Sequence, residues 1–427
     1  MTPKLKLNYK RTIIISLAFF TILMLWQVYN SYVPLMLEDL FTLNYGPGNY
    51  KYLIGLIMAA DNMFALFMLP IFGALSDKTV SKMGKRMPYI IGGTILAVIL
   101  FPFIPILYNT GSILGLFIIM GLVLISMNIY RAPAIALMPD ITPKPLRSKA
   151  NAIINFVGFI GAIFAGILAI IFKMPFEFTP ENSIVFPFII TSILMLCALV
   201  LLVVKIKENK VLQLVESDMA IGDSLSESME EVNVDKPLSK IDKFNLKTII
   251  ISVFFSFLAF NALETFWSTY GQEHLLTPNW SLATIFLTVS SMAFFIPAGI
   301  FSSKIGRKKS VMIGYSIMVI ALIFAGFQTS LNWVLLLVFS VSGIGWALVS
   351  VNTYPMVVEL ANKSNVGKFT GYYYTSSMIA QSVTPVFMGA LMDVLGMQYF
   401  FPYAFTFTFV ALIIFSFVKT KAKTNKI

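Results

Sequence analysis

Three ionisable residues sit inside long apolar runs: Asp61, Arg131 and Glu264. A charge at bilayer depth costs roughly 2.5–3.5 kcal/mol on insertion scales, so each needs a partner or a water-filled cavity. Two kinds of chemistry are open to them. Desolvation favours the neutral form of a carboxylic acid, so an acid at this depth can take up a proton from one side and release it to the other. Alternatively, an arginine and a carboxylate form a buried ion pair that only holds helices together. Asp61 lies near the middle of its run and Glu264 in the later half of another, which makes Asp61 the first candidate for proton exchange and Glu264 the second.

Polar residues cluster around these charges at helical spacing. Gln27, Asn30, Ser31 and Pro34 follow an i, i+3, i+4, i+7 pattern, so one face of the first run is polar, with Trp26 and Tyr29 beside it. Asn62 adjoins Asp61, and Asn128 stands one turn from Arg131. Asn151 and Asn155 are four apart; Asn261, Glu264, Thr265 and Ser268 share a face beside Trp267; Trp346 and Asn352 mark a later run. Neutral amides with indole and phenol rings suit a polyhydroxylated ligand, because amides pair with hydroxyls and rings pack on the apolar faces of sugars. Taken singly, each Asn could be an interhelical hydrogen bond worth about 0.6 kcal/mol. Trp26, Gln27, Asn30, Asn62, Asn128, Arg131, Asn155, Asn261, Trp267, Trp346 and Asn352 are therefore the substrate-binding candidates.

Other chemistries are excluded by residue type. With Cys197 as the single cysteine and His274 as the single histidine, the chain can form no internal disulfide, and Cys/His zinc sites and Cys-His dyads lack partners. No G-x-S-x-G elbow accompanies His274. Neither an enzyme, a metal site nor a resident cofactor is expected.

The elements that position these residues are membrane helices. The charged fraction is 12%, half the quarter usual in soluble domains, and mean hydropathy is +0.83. Apolar runs fall at 11–35, 52–73, 88–108, 112–138, 150–172, 184–204, 247–270, 281–302, 310–328, 332–355, 369–392 and 398–418, each near the roughly 20 residues that cross a bilayer. The first run has no small-residue cleavage site and reads as a retained helix. If the loops alternate sides, 28 of the 31 basic residues fall on one side; the exceptions are Lys51, Lys173 and Arg131. The positive-inside rule then places both termini and the long central loop in the cytoplasm. The net charge of +11 is thus a topology signal, and no nucleic-acid partner is expected.

The runs divide six and six around a segment rich in Glu, Asp and Ser. This gives an N-terminal half 1–205, a linker 206–246 and a C-terminal half 247–427. The linker reads as a solvated tether, with Ser224, Ser226 and Ser228 set among acids. The halves echo each other: Pro139-Asp140 matches Val358-Glu359, Gly73 matches Gly299, and Gly84-Lys85-Arg86 matches Gly306-Arg307-Lys308. Repetition of six-helix halves points to a transporter. Gly158, Ala162 and Gly166, four apart, read as a close-packing stripe.

One stretch carries a resemblance. Gly73-Ala-Leu75-Ser76-Asp77-Lys78, five residues, then Gly84-Lys85-Arg86 resembles the signature loop of the major facilitator superfamily. Leu-Ser-Asp-Lys followed by Gly-Lys-Arg-Met-Pro-Tyr is similar to the glycoside–pentoside–hexuronide cation symporters and the sucrose transporters. So are Trp26-Gln27-x-Tyr29-Asn30-x-Tyr32-Val33-Pro34, Arg131-Ala-Pro-x3-Leu137-Met-Pro-Asp140-x-Thr-Pro with Arg147-Ser-Lys-Ala-Asn151, Asn261-x2-Glu264-Thr265, and Gly345-Trp346-Ala347-x4-Asn352. The resemblance covers nearly the whole chain outside the linker. It implies an all-α fold of twelve transmembrane helices in two six-helix pseudo-repeats and proton-coupled uptake of a disaccharide or glucoside. It also implies a cytoplasmic gate of Gly73, Asp77, Arg86, Asp140 and Arg147, with Asp77 bracing the start of the eleventh span. Two departures stand beside it. Ser303 occupies the second-half position matching Asp77, and Met120 lies where sucrose transporters of plants carry an acid.

The sequence thus reads as a multi-pass protein of the cytoplasmic membrane in contact with lipid, a monomer, moving a small-molecule sugar by symport. The coupling ion is H⁺, with Na⁺ as the alternative. An exporter of drugs or metabolites shares the hairpin, and a non-transporting sensor that signals through the linker is a reading from another class.

Overall fold

A computed structural model describes residues 5–175, 182–230, 239–361 and 366–419, leaving aside the side chains at positions 61, 148, 182, 225–230, 366 and 367. Among the described residues the regular structure is entirely helical: α1 (Tyr9–Tyr45), α2 (Lys51–Lys78), α3 (Met87–Leu100), α4 (Phe103–Asn109), α5 (Ile113–Asp140), α6 (Arg147–Ile171), α7 (Val185–Lys205), α8 (Glu208–Glu230), α9 (Lys240–Thr269), α10 (Ser281–Ile305), α11 (Arg307–Gly326), α12 (Trp333–Val358), α13 (Val366–Leu395) and α14 (Phe400–Ser416). Twelve spans long and apolar enough to cross a membrane result, one of them made by α3 and α4 together. The break between those two falls at Pro102, which has no N–H to continue the ladder.

Local capping sets many of the boundaries. Asn8, Ser112, Ser239 and Asn332 each accept a hydrogen bond from the backbone N–H three residues on, at 3.0–3.1 Å, starting α1, α5, α9 and α12. Hydropathy and helix do not end together. The second apolar run stops at 73, but α2 continues through Ser76 and Asp77 to Lys78, because hydrophobicity marks the bilayer whereas the i→i−4 ladder runs on beyond it. Likewise α1 continues past its apolar run through Glu38 and Asp39, and Tyr108 donates to Asp39 at 2.8 Å.

The chain forms two compact units, one of residues 1–50 and 60–232, the other of 51–59 and 233–427. In a membrane the lipid is as apolar as the side chains, so helices associate through close packing and hydrogen bonds. In the first unit α6 lies against α1 so closely that a Cβ at Gly161 would meet the Phe20 carbonyl oxygen at 2.3 Å, and one at Gly158 would meet Leu23 at 2.6 Å. The close approach thus uses Gly158 of the stripe read from the sequence together with Gly161, which that stripe did not include. In the second unit α11 and α12 approach through Gly314 and Gly345. There Ser252 of α9 donates to the Ala411 carbonyl of α14 at 2.9 Å.

The segment 206–246 departs most from expectation. It is not a solvated tether over 208–230, where α8 forms with Val211, Val215 and Glu208 buried. A polar composition forbids a membrane span but not a helix whose few apolar and acidic groups find partners on another surface.

Candidate functional site

The first unit carries a polar face on α1 and α5. Trp26, Gln27 and Asn30 are half-buried on α1, with Tyr29 and Ser31 fully buried beside them. Gln27 donates to Ser31 at 3.4 Å, and the rings of Trp26 and Tyr29 meet edge to face at 5.8 Å. From α5 the Arg131 guanidinium lies over the Trp26 ring, 5.7 Å from its centroid, a cation–π contact that orients both side chains. Asn128, one turn before Arg131, is 1% exposed and donates to the Leu124 carbonyl at 2.8 Å. Two buried polar atoms of this face, Trp26 Nε1 and Asn128 Oδ1, have no hydrogen-bond partner among the described residues. Asn62 is half-buried on α2, and Asn155 on α6. Asp61 occupies α2 as expected, but its side chain is among those not described.

The asparagines share a device that sequence spacing did not predict. Asn128, Asn155, Asn261 and Asn352 each donate to the backbone carbonyl four residues earlier, at 2.7–2.9 Å. Such back-bonding spends one of the two amide N–H groups on the helix and leaves the other N–H and the amide oxygen for a ligand.

In the second unit Asn261 and Asn352 are buried, Glu264 is exposed on α9, and Trp346 stacks on Phe260 at 4.1 Å. Trp267 is a correction. It is 1% exposed, its ring packs against Phe339 at 4.5 Å, Tyr270, Phe400 and Phe401, and its indole N–H donates to the Trp280 carbonyl at 2.8 Å. Its polar atom is satisfied and both faces are covered, so it belongs to the core and not to a ligand site. An amphipathic pattern cannot tell the two apart, since a tryptophan with a buried partner and one facing a cavity occupy the same helical stripe.

The residues of the first hairpin do converge. Arg86 is buried and donates through Nε to Asp140 at 2.8 Å, through Nη2 to Asp77, and through Nη1 to Ser76 and to the Gly73 carbonyl at 3.3 Å. Lys85 adds a second cation on Asp140 at 3.1 Å. Burial works against the guanidinium's charge, but the hydrogen bonds and charges of Asp140 and Asp77 outweigh it and leave Arg86 above its ordinary pKa. Arg147 donates to the carbonyls of Thr142 at 3.1 Å and Pro139 at 2.8 Å, where it caps the end of α5 directly beside Asp140. In the second hairpin Arg307 pairs with Glu359, both substantially exposed, while Ser303 donates to the Ile300 carbonyl of its own helix.

Glu208 was missed. Its carboxylate accepts hydrogen bonds from the backbone N–H groups of Lys85, Arg86 and Met87 at 3.0–3.2 Å. The only sequence signal is one acid a few residues after the sixth span, behind Lys205 and Lys207, which composition assigns to solvent.

The family model described as Major Facilitator Superfamily matches residues 15–296 and 249–427, and the chain belongs to that superfamily. It is a multi-pass membrane transporter and not an enzyme. It is 25% identical over 330 residues to an uncharacterized MFS-type transporter of Methanocaldococcus jannaschii, covering 75% of each chain. The fold is similar to that of the xylose transporter XylE from E. coli in its inward open conformation, with a TM-score of 0.72, 17% identity and 97% of each chain covered. It is also similar to a structure of a proton dependent oligopeptide transporter, with a TM-score of 0.70, 14% identity and coverage of 96% of this chain and 98% of that one. A fold shared by carriers of a pentose and of peptides does not choose the cargo.

Proposed function

We propose that this transporter carries a sugar, a disaccharide or a glucoside, into the cell together with a proton. The observation that carries the reading is the α1–α5 face. Trp26 Nε1 and Asn128 Oδ1 are buried without partners beside the Arg131–Trp26 contact. An unsatisfied buried polar atom costs about 1–3 kcal/mol, and a ligand hydroxyl that donates to Asn128 and another that accepts from Trp26 recover it. Gln27 and Asn30 supply further neutral partners on that face, and Asn62 and Asn155 in the same unit, with Asn261, Trp346 and Asn352 in the other, stand as further substrate-binding candidates. The xylose transporter among the similar structures supports a sugar, and the proton dependent transporter supports the coupling ion.

Asp61 is the proposed proton carrier, with Glu264 second. In this reading Asp61 pairs with Arg131 when the site is empty; protonation and sugar binding together loosen the pair and permit alternating access. Gly73, Asp77, Arg86, Asp140 and Arg147 form the gate on the cytoplasmic side, where the basic loops and both termini lie, and the transporter works as a monomer in the cytoplasmic membrane. A panel of labelled sugars in proteoliposomes with an alkaline interior tests this. The expected result is accumulation of at least one sugar that a protonophore abolishes, that replacement of Na⁺ by choline leaves unchanged, and that Asp61→Asn reduces to equilibration. Accumulation persisting in Asp61→Asn excludes Asp61 as the carrier. Outward flux identifies an exporter, and binding without flux identifies a sensor.

A further inference from the structure

We propose that Glu208 is a positioning residue for the Arg86–Asp77–Asp140 cluster, and that α8 is a strap holding the first hairpin. The proposal rests on the protein being a transporter and not on its cargo or coupling ion.

Three consecutive N–H groups at the start of α3 point at one carboxylate more than a hundred residues away. Oε1 of Glu208 accepts from Lys85 at 3.0 Å and Arg86 at 3.2 Å, and Oε2 from Arg86 and Met87 at 3.0 Å each. A helix start leaves its first N–H groups without partners and carries partial positive charge, so a buried carboxylate there is both satisfied and favoured. Glu208 is 0% exposed, and water cannot replace it.

Arg86 is held twice as a result. Glu208 fixes its main chain, and Asp140 with Asp77 fix its side chain. The turn is shaped for the carboxylate: at Gly84, with φ +113°, a Cβ would lie 2.2–2.5 Å from atoms of Glu208. The next residue of α8 grips the other arm of the turn, Asn209 donating to the carbonyls of Ser81 at 3.0 Å and Lys82 at 3.1 Å. Farther along, Asp223 pairs with Lys144 at 3.0 Å, and Gly222 packs on Pro143. One helix therefore spans both loops of the cluster, the turn that carries Arg86 and the segment that follows Asp140. Any rearrangement that opens the cluster must either carry α8 with it or release Glu208.

The test uses the full chain in lipid nanodiscs. Hydrogen exchange is read on peptides covering 85–87, and maleimide labelling on Lys82→Cys in a Cys197→Ser background. Glu208→Ala is expected to raise both rates at least tenfold, Glu208→Gln by less because its amide oxygen still accepts, and Glu216→Ala, exposed on the same helix, not at all. Asn209→Ala serves if Glu208→Ala does not accumulate, and should raise labelling at position 82 with little change at 85–87. Where the panel yields a carried sugar, Glu208→Ala should lower maximal uptake at least tenfold with KM within twofold, and Glu208→Gln should restore part of it. Unchanged exchange and labelling in Glu208→Ala overturn the strap, and unchanged uptake beside raised exchange overturns the positioning role. If no sugar is carried, the sugar reading falls and the exchange arm still decides the strap.

Discussion

The two hairpins of the repeat share a glycine followed by two cations, but their surroundings differ. In the first unit the Arg86 side chain is 5% exposed and faces Asp140, itself 21% exposed, while a second structural layer, α8, closes over the turn. In the second unit the Arg307 and Glu359 side chains are 37% and 61% exposed, and α11 begins at Gly306 with no side-chain cap. The same pair of charges is worth different amounts in these settings. Near bulk water an ion pair contributes about 0.2–1 kcal/mol and is screened by salt. In a dry site, removing one partner strands the other, at a cost of several kcal/mol. A repeated motif therefore does not carry a repeated role, because burial sets the strength of each contact.

Matched substitutions in the two hairpins can break this contrast. The largest effect is expected from Arg86→Ala. It should destabilise the purified protein by about 3 kcal/mol, the low end of the cost of breaking a buried pair because Asp140 keeps some solvent. Arg307→Ala should stay within about 1 kcal/mol. Denaturation in detergent checks the difference, and equal losses would refute the burial argument. Next come the glycines. Gly84 and Gly306 both have positive φ, +113° and +92°, so Ala at either meets backbone strain of about 1–3 kcal/mol. Only at Gly84 does the added Cβ also strike Glu208, whereas nothing lies within 4 Å at Gly306. Gly84→Ala should therefore lower the unfolding midpoint further than Gly306→Ala, and an inverted order would argue against the placement of α8.

Smaller effects sharpen the same comparison. Asp140→Asn should destabilise more than Asp77→Asn, since Asp140 serves both Arg86 and Lys85 and is 21% exposed against 58% for Asp77. Thermal denaturation of the two variants in parallel gives the order directly. Least of all, Ser303→Asp restores the missing acid of the second hairpin in an exposed position. It should shift stability by no more than about 0.5 kcal/mol, and less still as salt is raised.

Legibility in the sequence followed the range of the interactions. Asp140 and Arg86 stood together in one expected gate only through the resemblance of the hairpin to the superfamily's signature loop, since they belong to different loops and no spacing along the chain pairs them. Asn128 and Arg131 were readable as neighbours because a helix puts i and i+3 on one face. Trp267 was misread for want of the same information: its stripe is visible along the helix, but Phe339 and Phe401 come from distant helices. The back-bonding of the four asparagines is local, yet a rotamer chooses it, and spacing does not record rotamers.

By itself the sequence determined the twelve spans and the basic asymmetry of the loops. These follow from sums over about 20 consecutive residues against a bilayer of fixed thickness, so they need no knowledge of neighbours. Only the tertiary structure decided that Glu208 is an interior residue, that α8 is a docked helix, and that one hairpin is sealed while its counterpart stays open to solvent. Those outcomes depend on which surfaces meet across a hundred residues or more. The strength of a charge or a hydrogen bond is set by the water excluded when they do.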